Sequence, residues 1–349
     1  MVYINGLGSI SVQTDETLKL PNWGKENYLR SNEPEFSKFI SPVLSRRMSK
    51  IIKKSIVSSL LCLKDGNVEM PEAIISGTGL GCIEDTEKFL RTMISQKESF
   101  LQPTHFIQST HNTISSQIAL NLKCYSYNNT YSHLGISFES ALLDGFIQIK
   151  TNQIKNALIG GFDEMTPDYK FMLSKVGFWK KEPFSIQDMK EPKTYGTVAG
   201  EGCSSILLSD EKTDKSYAKI DDILIFHTPK NKQTTTEIII DFLSKNNTNI
   251  SEIDAVMLGL NGDLTNDLIY DAIYTKSFSK EPHLIFKHLS GEFFTSSGFG
   301  TIMASKLIKD NIFSNLLYRK YHPTNPIKKI LFHNHYNNVS HALILLSKC

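Results

Sequence analysis

The sequence predicts an α/β fold built from two related βαβ halves. Short apolar runs that end in glycine, such as "EAIISGTGLG" (72–81) and "IDAVMLGLNG" (253–262), alternate with stretches whose apolar residues recur every three or four positions. Strands alternating with helices make βαβ units around a mostly parallel, buried sheet. After Ser209 the order of elements starts again, so the halves are expected to be residues 1–211 and 212–349. A chain of 349 residues suits two packed units or one large one.

Element by element, "VYINGLGSI" (2–10) reads as a strand ending in a glycine turn. Residues 43–63 read as one helix, with Val43, Met48, Ile51, Ile52, Ser55, Ser59 and Cys62 near one face. A strand over 72–81 feeds the helix 82–94, and "STHNT" opens a helix over 109–122 with Ser/Thr caps. A strand near 126–132, a helix over 136–151 and a buried strand over 156–164 follow. Residues 165–195 read as a loop-rich insertion, and 196–210 as a glycine turn and strand. The second half runs strand 217–226, helix 234–246, strand 253–262, helix 264–276, strand 283–291 and helix 295–313. It closes with a β pair, "KKILFHNHYNN" and "SHALILLSK".

Composition excludes several classes of function. A net charge of +2 argues against bulk attraction to nucleic acid or membrane. No apolar run approaches the roughly 20 residues of a membrane span, and "MVYINGLGSI" has no basic or long apolar leader. Five scattered cysteines without CxxC spacing read as reduced thiols of a cytoplasmic protein rather than zinc ligands. The clusters "GLGS" and "SGTGLG" lack the third glycine or the downstream acid of a dinucleotide site, so no cofactor is expected. Arg46-Arg47-Met48-Ser49-Lys50 with Lys53 and Lys54 reads as a solvated helix face or a docking patch for an acidic partner.

Taken in order, "INGLGSIS", "LSRRMSKIIKKSI", "IISGTGLG", "STHNTISSQIALNLKC", "GTVAGEGCSSILLS" and "KHLSGEFFTSSGFGTIMASKLI" resemble the β-ketoacyl synthases of the thiolase fold over nearly the whole chain. The G-x-x-x-G-E-G turn (Gly196, Gly200, Glu201, Gly202) and the Lys287-to-Gly291 segment are its most specific parts. The resemblance implies a layered αβαβα core. It also implies an enzyme with three chemical groups. A thiolate at a helix N-terminus takes the acyl group, and two imidazoles hold the negative charge that develops on decarboxylation.

Carried over residue by residue, all three groups are replaced. The family's S-T-A-C-x-S falls on Ser132-His133-Leu134-Gly135-Ile136-Ser137, so Gly135 stands at the cysteine. Asn261, or Gly259 with a different gap, stands at the first histidine, and Glu292 at the second. "NHYNNVSH" (334–341) replaces the family's glycine-rich gate. The resemblance therefore implies a non-catalytic subunit similar to a chain-length factor. Its partner would be an active ketosynthase or a second copy, paired across the strand near 126–132, with acyl carrier protein as a further partner.

Rival residues keep other readings open. Ser137 starts a helix, with His133 and His111 as the nearest imidazoles in sequence, and Cys124 precedes the strand near 126–132; either would be the nucleophile of an acyltransferase. A helix-start serine ordinarily caps, and Cys124 and Cys203 ordinarily pack. His333, His335 and His341 gather on the last β pair; without a carboxylate or thiol beside them they read as surface or core histidines rather than metal ligands. In chain-length factors the helix after the turn lines the acyl tunnel, which makes Phe138, Glu139, Leu142 and Leu143 tunnel or dimer candidates, with ordinary core as the alternative. A homodimeric acyl-carrier or lipid binder without chemistry is the remaining alternative.

Overall fold

The computed structural model describes every residue except 15–27, 100, 102, 182–184, 229–233, 311–313 and 324. Eleven strands form its main sheet: β1 (Val2–Ile10), β2 (Ala73–Gly77), β3 (Tyr127–Tyr131), β4 (Asn156–Asp163), β5 (Gly202–Ser209), β6 (Ala218–His227), β7 (Ala255–Leu258), β8 (His283–Ile285), β9 (Tyr318–Lys320), β10 (Lys329–Tyr336) and β11 (Ser340–Ser347). Their hydrogen-bonded order is β9-β8-β7-β10-β11-β6-β1-β5-β4-β2-β3.

That order contains one pattern twice. In β1–β5 the third strand borders the second, then come the fourth, fifth and first. The strands β6, β7, β8, β10 and β11 repeat the sequence, with β9 added outside. The directions repeat as well. β2 is parallel to β3 and β4, β7 is parallel to β8 and β10, and the antiparallel pairs β4–β5 and β10–β11 occupy matching places. A short antiparallel contact of Val2–Ile4 with Ala218–Ile220 joins the two sets.

Eight main helices cover these strands: α1 (Lys50–Asp65), α2 (Ile83–Ser95), α3 (Thr113–Leu122), α4 (Ser137–Lys150), α5 (Pro167–Lys175), α6 (Thr235–Lys245), α7 (Leu264–Ser277) and α8 (Ser296–Asp310). Successive strand residues point to opposite faces, and the cores divide accordingly. Ile75, Ile159, Met257 and Phe332 face one central cluster with Phe138 of α4 and Phe299 of α8. Their neighbours Ile74 and Leu158 pack outward on α1 and α3, and Val256 and Leu331 pack on α6 and α7. The result is the expected α/β thiolase-like layering, αβαβα, with α4 and α8 as the inner helices.

Several local expectations change. The helix over 43–63 is two pieces: a turn at Pro42–Ser45 capped by Ser41, then α1. Val43 is consequently off the buried face, at 76% exposed. The basic run is not a uniformly solvated face either, because Lys54 is buried. The loop-rich stretch 165–195 contains α5, which starts at Pro167 with Thr166 as its cap. The strand expected over 283–291 is three residues long and turns helical at Lys287–Ser290. The last three residues of the helix expected over 295–313 lie outside the described residues. Among the described residues no helix is long and apolar enough to cross a membrane.

Candidate functional site

The turn after β3 is stabilised from within. Leu134–Ile136 forms a 3-10 turn with Leu134 at φ +46°. Ser137 Oγ accepts from His133 N at 2.7 Å and donates to the Leu134 carbonyl at 2.8 Å. The Ser137 hydroxyl is thus occupied by the main chain, as a turn-closing group. Cys124 is buried, with Sγ 3.4 Å from the Pro71 carbonyl. Cys203 is buried in the outer core, where desolvation pushes its thiol well up.

Gly135 is buried, and the space a side chain would need is taken. A Cβ there would lie 2.5–2.7 Å from three atoms of Tyr336 at the end of β10. Such distances require something to move. The neighbouring Asn334 of β10 donates to the Gly135 carbonyl at 3.3 Å and to Glu139 Oε1 at 2.7 Å. Glu139 is fully buried, and desolvation raises its pKa.

Asn261 follows β7 in a turn organised by two aspartates. Asp267 accepts from the main-chain N–H groups of Asn261 and Gly262 at 3.0 and 2.8 Å, and Asp263 caps α7 through Asn266 N at 2.9 Å. Burial nevertheless lifts Asp267 to about 6, against those hydrogen bonds. Asn261 Nδ2 donates to Glu292 Oε2 at 2.8 Å, and its Oδ1 accepts from Asp263 N at 3.0 Å. Lys287 Nζ donates to both oxygens of Glu292, at 3.1 and 2.9 Å. Glu292 is therefore neutralised, and Asn261 has both amide ends engaged. Gly259, the alternative to Asn261, packs so closely that a Cβ would lie 2.3 Å from Asn334 Oδ1.

The glycines of the G-E-G turn have a steric cause. A Cβ on Gly200 would lie 2.2 Å from the Ser290 carbonyl, and Gly291, at φ +76°, passes against Gly200. Two main-chain bonds zip the segments: Gly200 N to the Glu292 carbonyl at 3.0 Å and Glu292 N to the Val198 carbonyl at 2.7 Å. Glu201 meets Lys54 at 2.9 Å, Ser31 Oγ at 2.7 Å and Tyr28 OH at 2.6 Å. Burial opposes its ionisation, but the Lys54 charge and these hydrogen bonds prevail and its pKa is lowered.

Phe138 is fully buried in the central cluster, where it fills the room left by Gly161 and Gly298. Leu142 is buried with it, and Leu143 packs half-buried at its edge.

A cavity of about 70 Å³ lies where Asn261, Glu292 and Tyr336 converge. Trp179, Phe293 and Phe294 contribute its apolar walls, and among the described residues no lysine or arginine lines it. His335 reaches it from β10, although the alternation of strand side chains does not by itself mark that residue as part of a site. Tyr336, Asn334 and His335 are the site residues that the motif comparison does not single out. Their signal is the bulk of "NHYNN" in place of glycines.

The other two histidines of the hairpin are core residues. Tyr274 OH lies 2.9 Å from His333 Nδ1, His333 Nε2 lies 3.0 Å from His341 Nδ1, and His341 Nε2 lies 3.0 Å from Thr228 Oγ1. Thr228 in turn donates to the Asn338 carbonyl. Desolvation lowers both imidazoles, His341 to about 4 and His333 well below its usual value. Among the described residues no group of three or more His, Cys, Asp or Glu is placed to hold a metal ion.

Residues 21–185 match the model of the β-ketoacyl synthase N-terminal domain family. No curated protein is significantly similar in sequence. Solved structures share the fold at low identity. The ishigamide ketosynthase/chain length factor gives a TM-score of 0.82 at 14% identity, covering 100% of this chain and 99% of that one. A ketosynthase in complex with its chain length factor from Xenorhabdus doucetiae gives 0.77 at 16%, covering 100% and 98%. A type II polyketide acyl-carrier protein in complex with its hexaketide-bound ketosynthase gives 0.77 at 13%, covering 100% and 99%.

Proposed function

We propose that this chain, a β-ketoacyl-synthase-like protein with the fold of the ketosynthase/chain length factor structures, is a non-catalytic subunit of the chain-length-factor type. It pairs with an active ketosynthase in fatty acid, polyketide or polyene assembly. The partner supplies the cysteine and both histidines. The observation that supports the reading is the filled position at Gly135: this glycine stands where the resemblance places the nucleophile, and Tyr336 occupies the space a side chain there would need. Glu292 adds to this, because its oxygens are taken by Lys287 and Asn261 and a carboxylate has no N–H to offer an enolate.

The partner covers β3. That strand ends the sheet with its outer edge unpaired, and Tyr125 beside it is 94% exposed. An open edge of this kind is a template for another chain. Arg46 and Arg47 line a surface groove with Val43, Leu44 and Ile107, a mixed basic and apolar face suited to an acidic carrier protein. The protein works in the cytoplasm, with its cysteines reduced.

Co-expression with candidate cysteine-bearing synthases tests the reading. A stable heterodimer is expected, with altered product length when Phe138 is exchanged for a smaller residue. A lone chain that carries an acyl adduct on Ser137 or Cys124, seen by intact mass spectrometry, would replace this reading with the acyltransferase. A homodimer that ignores every synthase offered would replace it with the acyl-carrier or lipid binder.

A further inference from the structure

A second cavity opens where the two halves of the sheet part. β1 pairs with β5 as far as Ile10 but with β6 only over Val2–Ile4. Among the described residues, no strand therefore borders the far half of β1 on the β6 side. A Cβ on Gly8 would meet Ser58 and Cys62 of α1. Alternation turns Leu7 and Ser9 the other way, into a gap whose opposite wall is α8. Phe299, Ile302, Met303 and Lys306 follow one another at helical spacing along that wall. The cavity measures about 590 Å³, the size of a small-molecule site. It shares no lining residue with the cavity at Asn261 and Glu292.

Two polar groups of this lining are unpaired. Gln13 is only 7% exposed, yet its Oε1 is buried without a hydrogen-bond partner, and so is the hydroxyl oxygen of Ser9. Burying such groups unpaired is costly. The carboxylates of the lining are engaged. Asp65 accepts from Leu7 N at 2.9 Å and from Tyr217 OH at 3.2 Å, and Glu33 accepts from Lys50 Nζ at 2.7 Å. Lys306 sets a positive charge against these two negative ones, so neither an anionic nor a cationic head is strongly drawn in. The unpaired groups call for an uncharged head that both donates and accepts. A hydroxyl gives its hydrogen to an amide oxygen and takes either role with a serine. Leu61, Phe299, Ile302 and Met303 offer apolar surface to an alkyl chain.

We propose that this seam cavity binds an aliphatic alcohol, with its hydroxyl toward Gln13 and Ser9 and its chain along α8. The inference goes beyond the subunit role. It uses none of the positions matched to the family's chemical groups, and it holds whether or not a synthase partner is found.

Nuclear magnetic resonance on the full chain tests this, with n-octanol as the probe and octanoate and n-octylammonium as charged controls of the same chain length. Saturable shifts of the Met303 methyl and Gln13 side-chain amide signals are expected with octanol, at a Kd at least about tenfold below that of either control. Gln13→Leu keeps the bulk, removes the acceptor, and should weaken octanol at least about tenfold. Ser9→Ala deletes only a hydroxyl that holds no partner in the protein, so it should fold and also bind octanol more weakly; it decides if Gln13→Leu does not fold. Absence of a saturable shift at Met303, equal affinity for a charged control, or undiminished octanol binding by the folded variants would overturn the proposal.

Discussion

Lys54–Glu201 and Lys287–Glu292 are both buried ion pairs, and both belong to segments zipped together by the Gly200–Gly291 crossing. The first has the denser set of partners: Glu201 also accepts from Tyr28, Ser31 and the Met165 main chain, and the pair borders a pocket of its own. The second borders the cavity, with Asn261 as its one further side-chain partner. Where the family motif is kept, the pair fastens the turn. Where the resemblance would place an imidazole, the Lys287–Glu292 pair brings two opposite charges together. On the proposed reading, a position released from catalysis still has to satisfy the cation left beside it.

This contrast predicts unequal responses. Glu201→Ala removes the carboxylate that Lys54, Ser31 and Tyr28 share and should cost about 3–5 kcal/mol, read as a fall in the urea midpoint at unchanged slope. Glu292→Ala should cost less, about 1–3 kcal/mol, because Glu292 joins fewer groups, the Lys287 ammonium and the Asn261 amide. Equal losses at the two positions would remove the distinction.

Gly135→Cys probes the filled position. It should destabilise by about 1–3 kcal/mol through overpacking against Tyr336, and Tyr336→Gly in the same chain should relieve that loss. A double-mutant cycle measures the coupling. Iodoacetamide should label the introduced thiol only in the double variant.

The smallest effect concerns pH, at the acidic side chains beyond β4. Burial raises Glu164 to about 8, with one hydrogen bond from Glu84 N opposing it. Between an ordinary glutamate value of about 4.3 and 8, the folded chain keeps a proton that the unfolded chain has released. Stability therefore falls as pH rises through that window. Glu164→Gln should flatten the decline, gaining about 1 kcal/mol at pH 8.5 after allowance for the partial exposure of this side chain. Asp163, raised by burial to about 6 although it accepts from Gly79, Thr78 and Thr295, adds the same trend at lower pH. Thermal melts across pH 4–9 would show it.

The fold was legible because its signals are local and ordered. Apolar runs ending in glycine gave β2 and β7, and the G-E-G turn with Lys287 fixed the resemblance. Helix periodicity failed at residues 46–49, where Met48 and Ser49 continue the spacing but the backbone turns between Ser45 and Lys50. The match of Gly135 to the family's nucleophile position was readable as an expectation, but what fills the space beside that glycine was not. Tyr336 reaches Gly135 from the far end of the chain, and only the packing of β10 against the turn brings them together. His335 likewise reads as one more histidine until its stacking on Tyr270 and its place in the cavity are known.

The row from Tyr274 through His333 and His341 to Thr228 runs in one direction only. Thr228 gives its hydrogen to the Asn338 carbonyl, so each imidazole upstream is locked into a single tautomer. An added proton on His341 would set its Nδ1–H against His333 Nε2–H, and one on His333 would force the Tyr274 hydroxyl to turn from donor to acceptor. The lowered affinity of both histidines for that proton means stability is lost as pH falls from about 6.5 toward 4. The terminal hairpin is thus the acid-labile seam of a molecule whose buried carboxyls make it alkali-shy, and a mildly acidic bath should open it there first.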